Sequence, residues 1–196
     1  MSKPRALIVA AGTFALCLLA AALIPASTDL RPKQALLIRH AEEPKDGPSL
    51  NDEGRARAQM LAQWIPATFG KVDYLFAAKN SKQSSRSVET LEPLAAKTGL
   101  VIDQRFDDAE YEALVKLLRT SAYSGKTVVV CWHSEQLPRL ARFLGAEKAP
   151  SDWPSNQYDH LWRLSFAPAG VRFTDVKYGA TLEDPALQGL APGGGR

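Results

Sequence analysis

Two cysteines and three histidines are all that this 196-residue chain contains of the strongest metal-ligating and nucleophilic side chains. That scarcity excludes several classes at once. No cluster of cysteine and histidine has the spacing of a zinc site, and no glycine-rich nucleotide loop is visible. There is no internal repeat and no sign of a second domain. Of the two cysteines, Cys17 lies in an apolar N-terminal stretch and Cys131 ends the run Val128-Val129-Val130. Once the N-terminal segment is removed, a single strand cysteine remains, which reads as a small core residue and allows no intrachain disulfide. Excess charge is scarce too. The formal charge of +3 falls to +1 without Lys3 and Arg5, so no nucleic-acid partner is implied. With 45% hydrophobic and 23% charged residues, the chain can bury one sizeable core.

The N-terminus has the pattern of an export segment. Lys3 and Arg5 precede an apolar stretch at residues 6–24, followed by Pro25-Ala26-Ser27-Thr28. A basic start, an apolar middle and small residues after it describe a signal peptide, with cleavage after Ala22 or Ala26. The stretch is also long enough to span a bilayer, so an uncleaved anchor tethering residues 27–185 to the membrane is the alternative. Either way the domain is expected outside the cytoplasmic membrane, in the periplasm or anchored at its outer face. Cys17 is not preceded by the small residues of a lipoprotein signal. Residues 186–196, with Pro192-Gly193-Gly194-Gly195, read as a flexible tail.

Strands and helices alternate through most of the remainder. Residues 35–38 form a short buried strand, and Asn51-Asp52-Glu53-Gly54 opens a helix to about residue 69, capped by Ser49 or Asn51. A strand at 72–78 leads through a polar loop into a helix at about 86–97. In that helix Pro93 implies a kink or a late first turn, and Gly99 suits the C-terminal cap. A short strand at 100–102, a helix at 110–119, a strongly β-prone run at 127–132 and a helix at 136–144 follow. Residues 160–166 and 171–178 alternate around Ala167-Pro168-Ala169-Gly170 and read as a terminal β-hairpin. The expected fold is α/β, a three-layer α/β/α domain with a mostly parallel central sheet.

The chemistry collects at strand exits. Arg39 and His40 follow the first strand, Arg86 opens the helix after the second, and His133 follows the strand ending at Trp132. In a parallel sheet all of these lie at the carboxyl edge, where open α/β sheets form their binding crevice. A neutral imidazole can attack phosphorus, and planar, permanently charged guanidinium groups can clamp phosphate oxygens. Two arginines and two histidines there make a dianion pocket that needs no metal or cofactor, since phosphoryl transfer depends mainly on positioning and charge stabilisation.

These motifs resemble those of the histidine phosphatase superfamily, which also contains the cofactor-dependent phosphoglycerate mutases. The resemblance spans about residues 35–166. It rests on Leu37-Ile38-Arg39-His40-Ala41-Glu42 with Leu50-Asn51-Asp52-Glu53-Gly54-Arg55, on Arg86-Ser87-Val88-Glu89-Thr90, and on Val129-Val130-Cys131-Trp132-His133. Trp153-Pro154 and Asp159-His160-Leu161-Trp162 resemble the end of a bacterial subgroup. Two departures stand out: Asn51 replaces the usual threonine, and Trp132 stands where a glycine more often precedes the histidine.

The resemblance implies that His40 is the nucleophile that becomes phosphohistidine, and that Arg39, Arg86 and His133 hold the phosphoryl oxygens. The two histidines then need opposite protonation preferences. The leaving-group acid is expected among Asp107-Asp108-Ala109-Glu110, with Glu110 favoured over Asp108, although the same residues can simply cap the next helix. Another branch of the family carries an aspartate directly after the second histidine. This chain has Ser134 there, with Glu135 one residue further. Glu42 and Glu43 either orient Arg39 or are solvated loop charges, and Lys79 and Lys82 either meet substrate or belong to a solvated loop. His160 reads as packed or hydrogen-bonded, and Trp64, Trp153 and Trp162 as core or rim packing.

The function implied is hydrolysis of a small phosphomonoester or a phosphoprotein. A mutase is the second reading, disfavoured because only 46 residues separate Arg86 from His133 and leave little for a lid. A non-catalytic phosphate-binding module is the third.

Overall fold

The computed structural model describes residues 30–178. The expected export segment at 1–26 and tail at 186–196 lie outside that range. In chain order the elements are β1 (Gln34–Arg39), α1 (Asp52–Phe69), β2 (Tyr74–Ala77), α2 (Arg86–Thr98), β3 (Ile102–Asp103), α3 (Tyr111–Leu118), β4 (Thr127–Trp132), α4 (Leu137–Phe143), β5 (His160–Ala167) and β6 (Gly170–Lys177). The six strands form one sheet in the order β3-β2-β4-β1-β5-β6. The first four are parallel, and the β5–β6 hairpin adds two antiparallel strands beside β1.

Side-chain alternation along each strand builds the two outer layers. Leu37, Phe76, Val128, Val130 and Trp132 face α3 and α4, where Leu114, Leu118, Leu137 and Leu140 complete one apolar cluster. The intervening residues Leu36, Ile38, Leu75, Val129 and Cys131 face Leu61 and Ile65 of α1 and Leu91 and Leu94 of α2. Because helices cover both faces, the central strands are continuously apolar rather than alternating. The three-layer α/β/α expectation is borne out, and Cys131 is a fully buried core residue.

Boundaries shift by a few residues. β2 is shorter than the 72–78 run, and β3 sits at Ile102–Asp103 instead of 100–102. Helix α2 runs through Pro93 from Arg86, so the proline does not mark a late first turn. Gly99 takes the left-handed cap, φ 71°, and its N–H reaches the Ala95 carbonyl.

The start of α1 is fixed tightly against the segment leaving β1. The Asn51 side chain accepts the Gly54 N–H at 2.8 Å, and the Asn51 N–H donates to the Glu42 carbonyl at 3.0 Å. A Cβ at Gly54 would lie 2.2 Å from the Glu42 carbonyl oxygen and 2.9 Å from its nitrogen. Both obstacles are backbone, so neither can swing aside. Gly54→Ala should therefore lower the unfolding free energy by at least about 2 kcal/mol in urea titration, an overpacking cost. A loss under about 0.5 kcal/mol, the range of ordinary surface changes, would contradict this close approach.

Candidate active site

Strands β1 and β4 pair in parallel with Arg39 opposite Trp132, so the residues that follow them, His40 and His133, emerge side by side. Their imidazoles are 5.4 Å apart between centroids, inclined at 74°. His40 is buried, and its Nδ1 donates to the Ala41 carbonyl at 2.8 Å. That bond assigns the N–H to Nδ1 and leaves the Nε2 lone pair as the nucleophilic one. Burial outweighs the upward pull of the Ala41 carbonyl. With the Arg39 guanidinium pushing in the same direction, it lowers the His40 pKa from 6.5 to about 4. The imidazole is therefore neutral at physiological pH.

The loop carrying His40 is tied to α2. Thr90 Oγ1 accepts the Ala41 N–H at 2.9 Å and donates to the Arg86 carbonyl at 2.7 Å. One hydroxyl thus links the backbone beside the first histidine to the backbone of the second arginine. Glu89, one residue earlier, accepts the Leu50 N–H at 2.8 Å and holds the loop before α1.

Both arginines reach this edge. Arg39 donates through Nη1 to the Ser155 carbonyl and through Nη2 to Glu43 Oε1, and its guanidinium lies 4.1 Å from the centre of the Tyr158 ring. Arg86 donates through Nη2 to the Gly47 carbonyl at 2.6 Å and pairs through Nη1 with Glu43 Oε2 at 2.6 Å. The Nε atoms of both are buried without a protein acceptor. Buried donors are normally satisfied, so this pair of unused N–H groups is chemically conspicuous.

His133 has a polar neighbour at each ring nitrogen, although Asp108 Oδ1 is a buried acceptor with no aligned donor. His133 Nε2 is in hydrogen-bond contact with Ser84 Oγ at 3.1 Å, and Asp108 Oδ1 lies 2.9 Å from its Nδ1. Asp108 is steadied through its carbonyl, which accepts the indole N–H of buried Trp132 at 2.9 Å. Glu110 is not at the pocket. Its exposed side chain turns back to accept the Asp107 N–H at 2.8 Å, capping the 3₁₀ turn that precedes α3. Of the acidic cluster expected to supply the acid, the structure brings Asp108, and not Glu110, to the second histidine.

The other polar residues separate clearly. Glu42 is buried and accepts both Nε and Nη2 of Arg57, an ion pair on the α1 side with no contact to Arg39. Glu43 meets Arg39 and Arg86 together. Lys79 pairs with Asp107 at 3.6 Å, and Lys82 and Glu135 are exposed. His160 is engaged through Nδ1 with Asp175 at 2.8 Å, while Trp153 packs on Trp162 at 4.6 Å. Among the participants that the sequence did not single out are Ser84, Thr90, Ser155 and Tyr158. Thr90 alone stood inside a recognised motif. The other three arrive from loops whose approach to the pocket no local pattern announces.

No protein-family model matches the chain. A curated relative, the Uncharacterized protein YjjA of Bacillus subtilis (strain 168), is 34% identical over 122 residues, covering 55% of this chain and 44% of that protein. The match thus spans less than half of that relative's length. Among solved structures, a phosphoserine phosphatase of Entamoeba histolytica in complex with 3-phosphoglyceric acid matches with a TM-score of 0.53 at 14% identity. That match covers 75% of this chain and 98% of the other. The protein histidine phosphatase SixA complexed with tungstate matches with a TM-score of 0.51 at 17% identity, covering 74% and 96%. At these identities the likeness is one of fold: the chain folds as these solved phosphatase structures do, with a mostly parallel central sheet covered by helices on both faces.

The depressed His40 pKa has a consequence for stability. Between about 4 and 6.5 the unfolded chain binds a proton at His40 that the folded protein does not, so the unfolding free energy rises with pH across that window. Wild type should lose stability relative to His40→Ala as the pH falls from 6.5 towards about 4. Urea midpoints of the two proteins should diverge in that range. Parallel curves would show that the imidazole titrates normally.

Proposed function

We propose that this protein is a metal-independent phosphatase that hydrolyses a phosphomonoester, on a small molecule or on a protein, through a phosphohistidine at His40. The observation that carries this reading is the neutral His40 imidazole, with Nδ1 tied to Ala41, beside two arginines whose Nε donors are buried and unsatisfied. The solved protein histidine phosphatase and phosphoserine phosphatase that share the fold support the phosphatase part of this reading.

In this mechanism Arg39, Arg86 and His133 hold the phosphoryl oxygens. His40 Nε2 attacks phosphorus, and the bond to the leaving oxygen breaks. Asp108, in its protonated form, gives its proton to that oxygen. Water then attacks the phosphohistidine, the P–N bond breaks, and the Asp108 carboxylate takes the proton of the water. Inorganic phosphate leaves and His40 is regenerated neutral. Hydrolysis is preferred over mutase chemistry because the residues between Arg86 and His133 are taken up largely by α2, β3, α3 and β4, and provide no long insertion over the pocket. With residues 6–24 read as an export segment, this activity belongs outside the cytoplasmic membrane.

A brief reaction with labelled substrate, followed by quenching, should trap acid-labile, alkali-stable label on wild type. His40→Ala should abolish both label and turnover, and p-nitrophenyl phosphate hydrolysis should persist in excess EDTA. A fully active His40→Ala removes the mechanism, and activity lost in EDTA and restored by a divalent ion removes the metal-independent reading.

Asp108→Asn should slow alkyl phosphates by about 100-fold more than p-nitrophenyl phosphate, whose leaving group scarcely needs a proton. Glu110→Gln should affect both substrates alike. Equal losses on the two substrates in Asp108→Asn would exclude Asp108 as the acid.

A further inference from the structure

Glu43 touches both pocket arginines at once. Its Oε1 lies 3.2 Å from Arg39 Nη2 and its Oε2 lies 2.6 Å from Arg86 Nη1. The remaining terminal nitrogen of each guanidinium is fixed by a backbone carbonyl, Ser155 for Arg39 and Gly47 for Arg86. All four terminal nitrogens are thus engaged by protein acceptors, while the Nε of each arginine is buried and has none. Two independent observations coincide here: one carboxylate shared by two arginines, and one unused buried donor on each.

Two permanent cations drawn to one place repel each other, and a planar guanidinium is useful only when its orientation is fixed. A carboxylate accepting from both answers the two requirements together. It lowers the repulsion and sets the angle of each fork, with both Nε donors left for an incoming oxyanion. It also carries a negative charge that a phosphate dianion in the same pocket must face. We propose that Glu43 is a positioning residue that cross-braces Arg39 and Arg86 for the phosphoryl group while limiting ground-state affinity for inorganic phosphate. This rests on the phosphatase reading above. Arrangement of the arginines acts on the reaction step, whereas the opposing charge keeps product from lingering, so the brace raises kcat while it weakens phosphate binding.

That division makes the test specific. In E43Q, p-nitrophenyl phosphate turnover should fall about tenfold or more, yet calorimetry with inorganic phosphate should give a dissociation constant about tenfold tighter, because a repelling charge has gone. E43D keeps the charge but is too short to reach both arginines. Its kcat should fall as well, with phosphate affinity within about twofold of wild type. A residue needed only for folding would instead weaken both quantities, and thermal melts of each variant check for that. Phosphate bound by E43Q more weakly than, or equally to, wild type overturns the proposal, as does an unchanged kcat. If wild type binds phosphate but hydrolyses nothing, the phosphatase reading fails. The calorimetric comparison then still decides for or against the brace.

Discussion

The parallel pairing of β1 with β4 is the constraint on which this molecule's chemistry depends. Both strands are buried over their whole length at the centre of the sheet. The ladder continues one residue beyond β1, where the His40 N–H donates to the Trp132 carbonyl at 3.1 Å. A shift of register by one residue would exchange the faces of every side chain, sending the Leu37 set toward α1 and the Leu36 set toward α3 and α4. Helices packed on both faces forbid that exchange. The level of His40 relative to His133 is thereby set by core packing far larger than either side chain.

A second layer of control lies where the chain leaves β1. Glu42 and Glu43 are adjacent in the loop that leaves β1, yet their side chains go to different partners. Glu42 goes to Arg57 on α1, a buried pair that would destabilise the fold by about 3–5 kcal/mol if one partner were removed. Its charge is neutralised away from the pocket. Glu43 goes to the arginines. Tyr178 supports the same corner, since its hydroxyl donates to the Tyr158 carbonyl at 2.6 Å and Tyr158 in turn stacks on Arg39. Gly54 belongs to this arrangement too, because α1 can approach Glu42 only where no Cβ intervenes.

How much of this the sequence discloses follows from the range of each interaction. Strand β4 and the hairpin are visible in local apolar patterns, and the placement of Arg39, His40, Arg86 and His133 follows from the rule that parallel strands end at one edge. The short β3 is poorly defined because two residues of pairing leave almost no periodicity. Long-range partners are invisible for a different reason. The Glu42–Arg57 pair, the Ser155 carbonyl on Arg39 and Tyr158 on the same guanidinium join segments whose separation in sequence carries no spacing rule. For the adjacent glutamates, nothing local distinguishes a structural ion pair from a contact with both pocket arginines.

The acidic run Asp107-Asp108-Ala109-Glu110 shows the same ambiguity resolved by geometry. Any of three carboxylates there could cap a helix or face the pocket, and composition alone cannot divide the tasks. The turn divides them by the angle between successive residues. Glu110 reaches back to the Asp107 N–H, which fixes the start of the 3₁₀ turn, and Asp107 faces Lys79 at the surface. Asp108 is left on the inner side, where the Trp132 indole holds its carbonyl. Trp132 is also the last residue of β4, immediately before His133. The same strand end therefore delivers the second histidine and anchors the backbone of the carboxylate that meets it, so the distance between them is set by one rigid indole rather than by a flexible loop. A glycine before His133, more usual in such sequences, could not make that bond, and the tryptophan that looked like a departure from the motif accounts for the carboxylate's position.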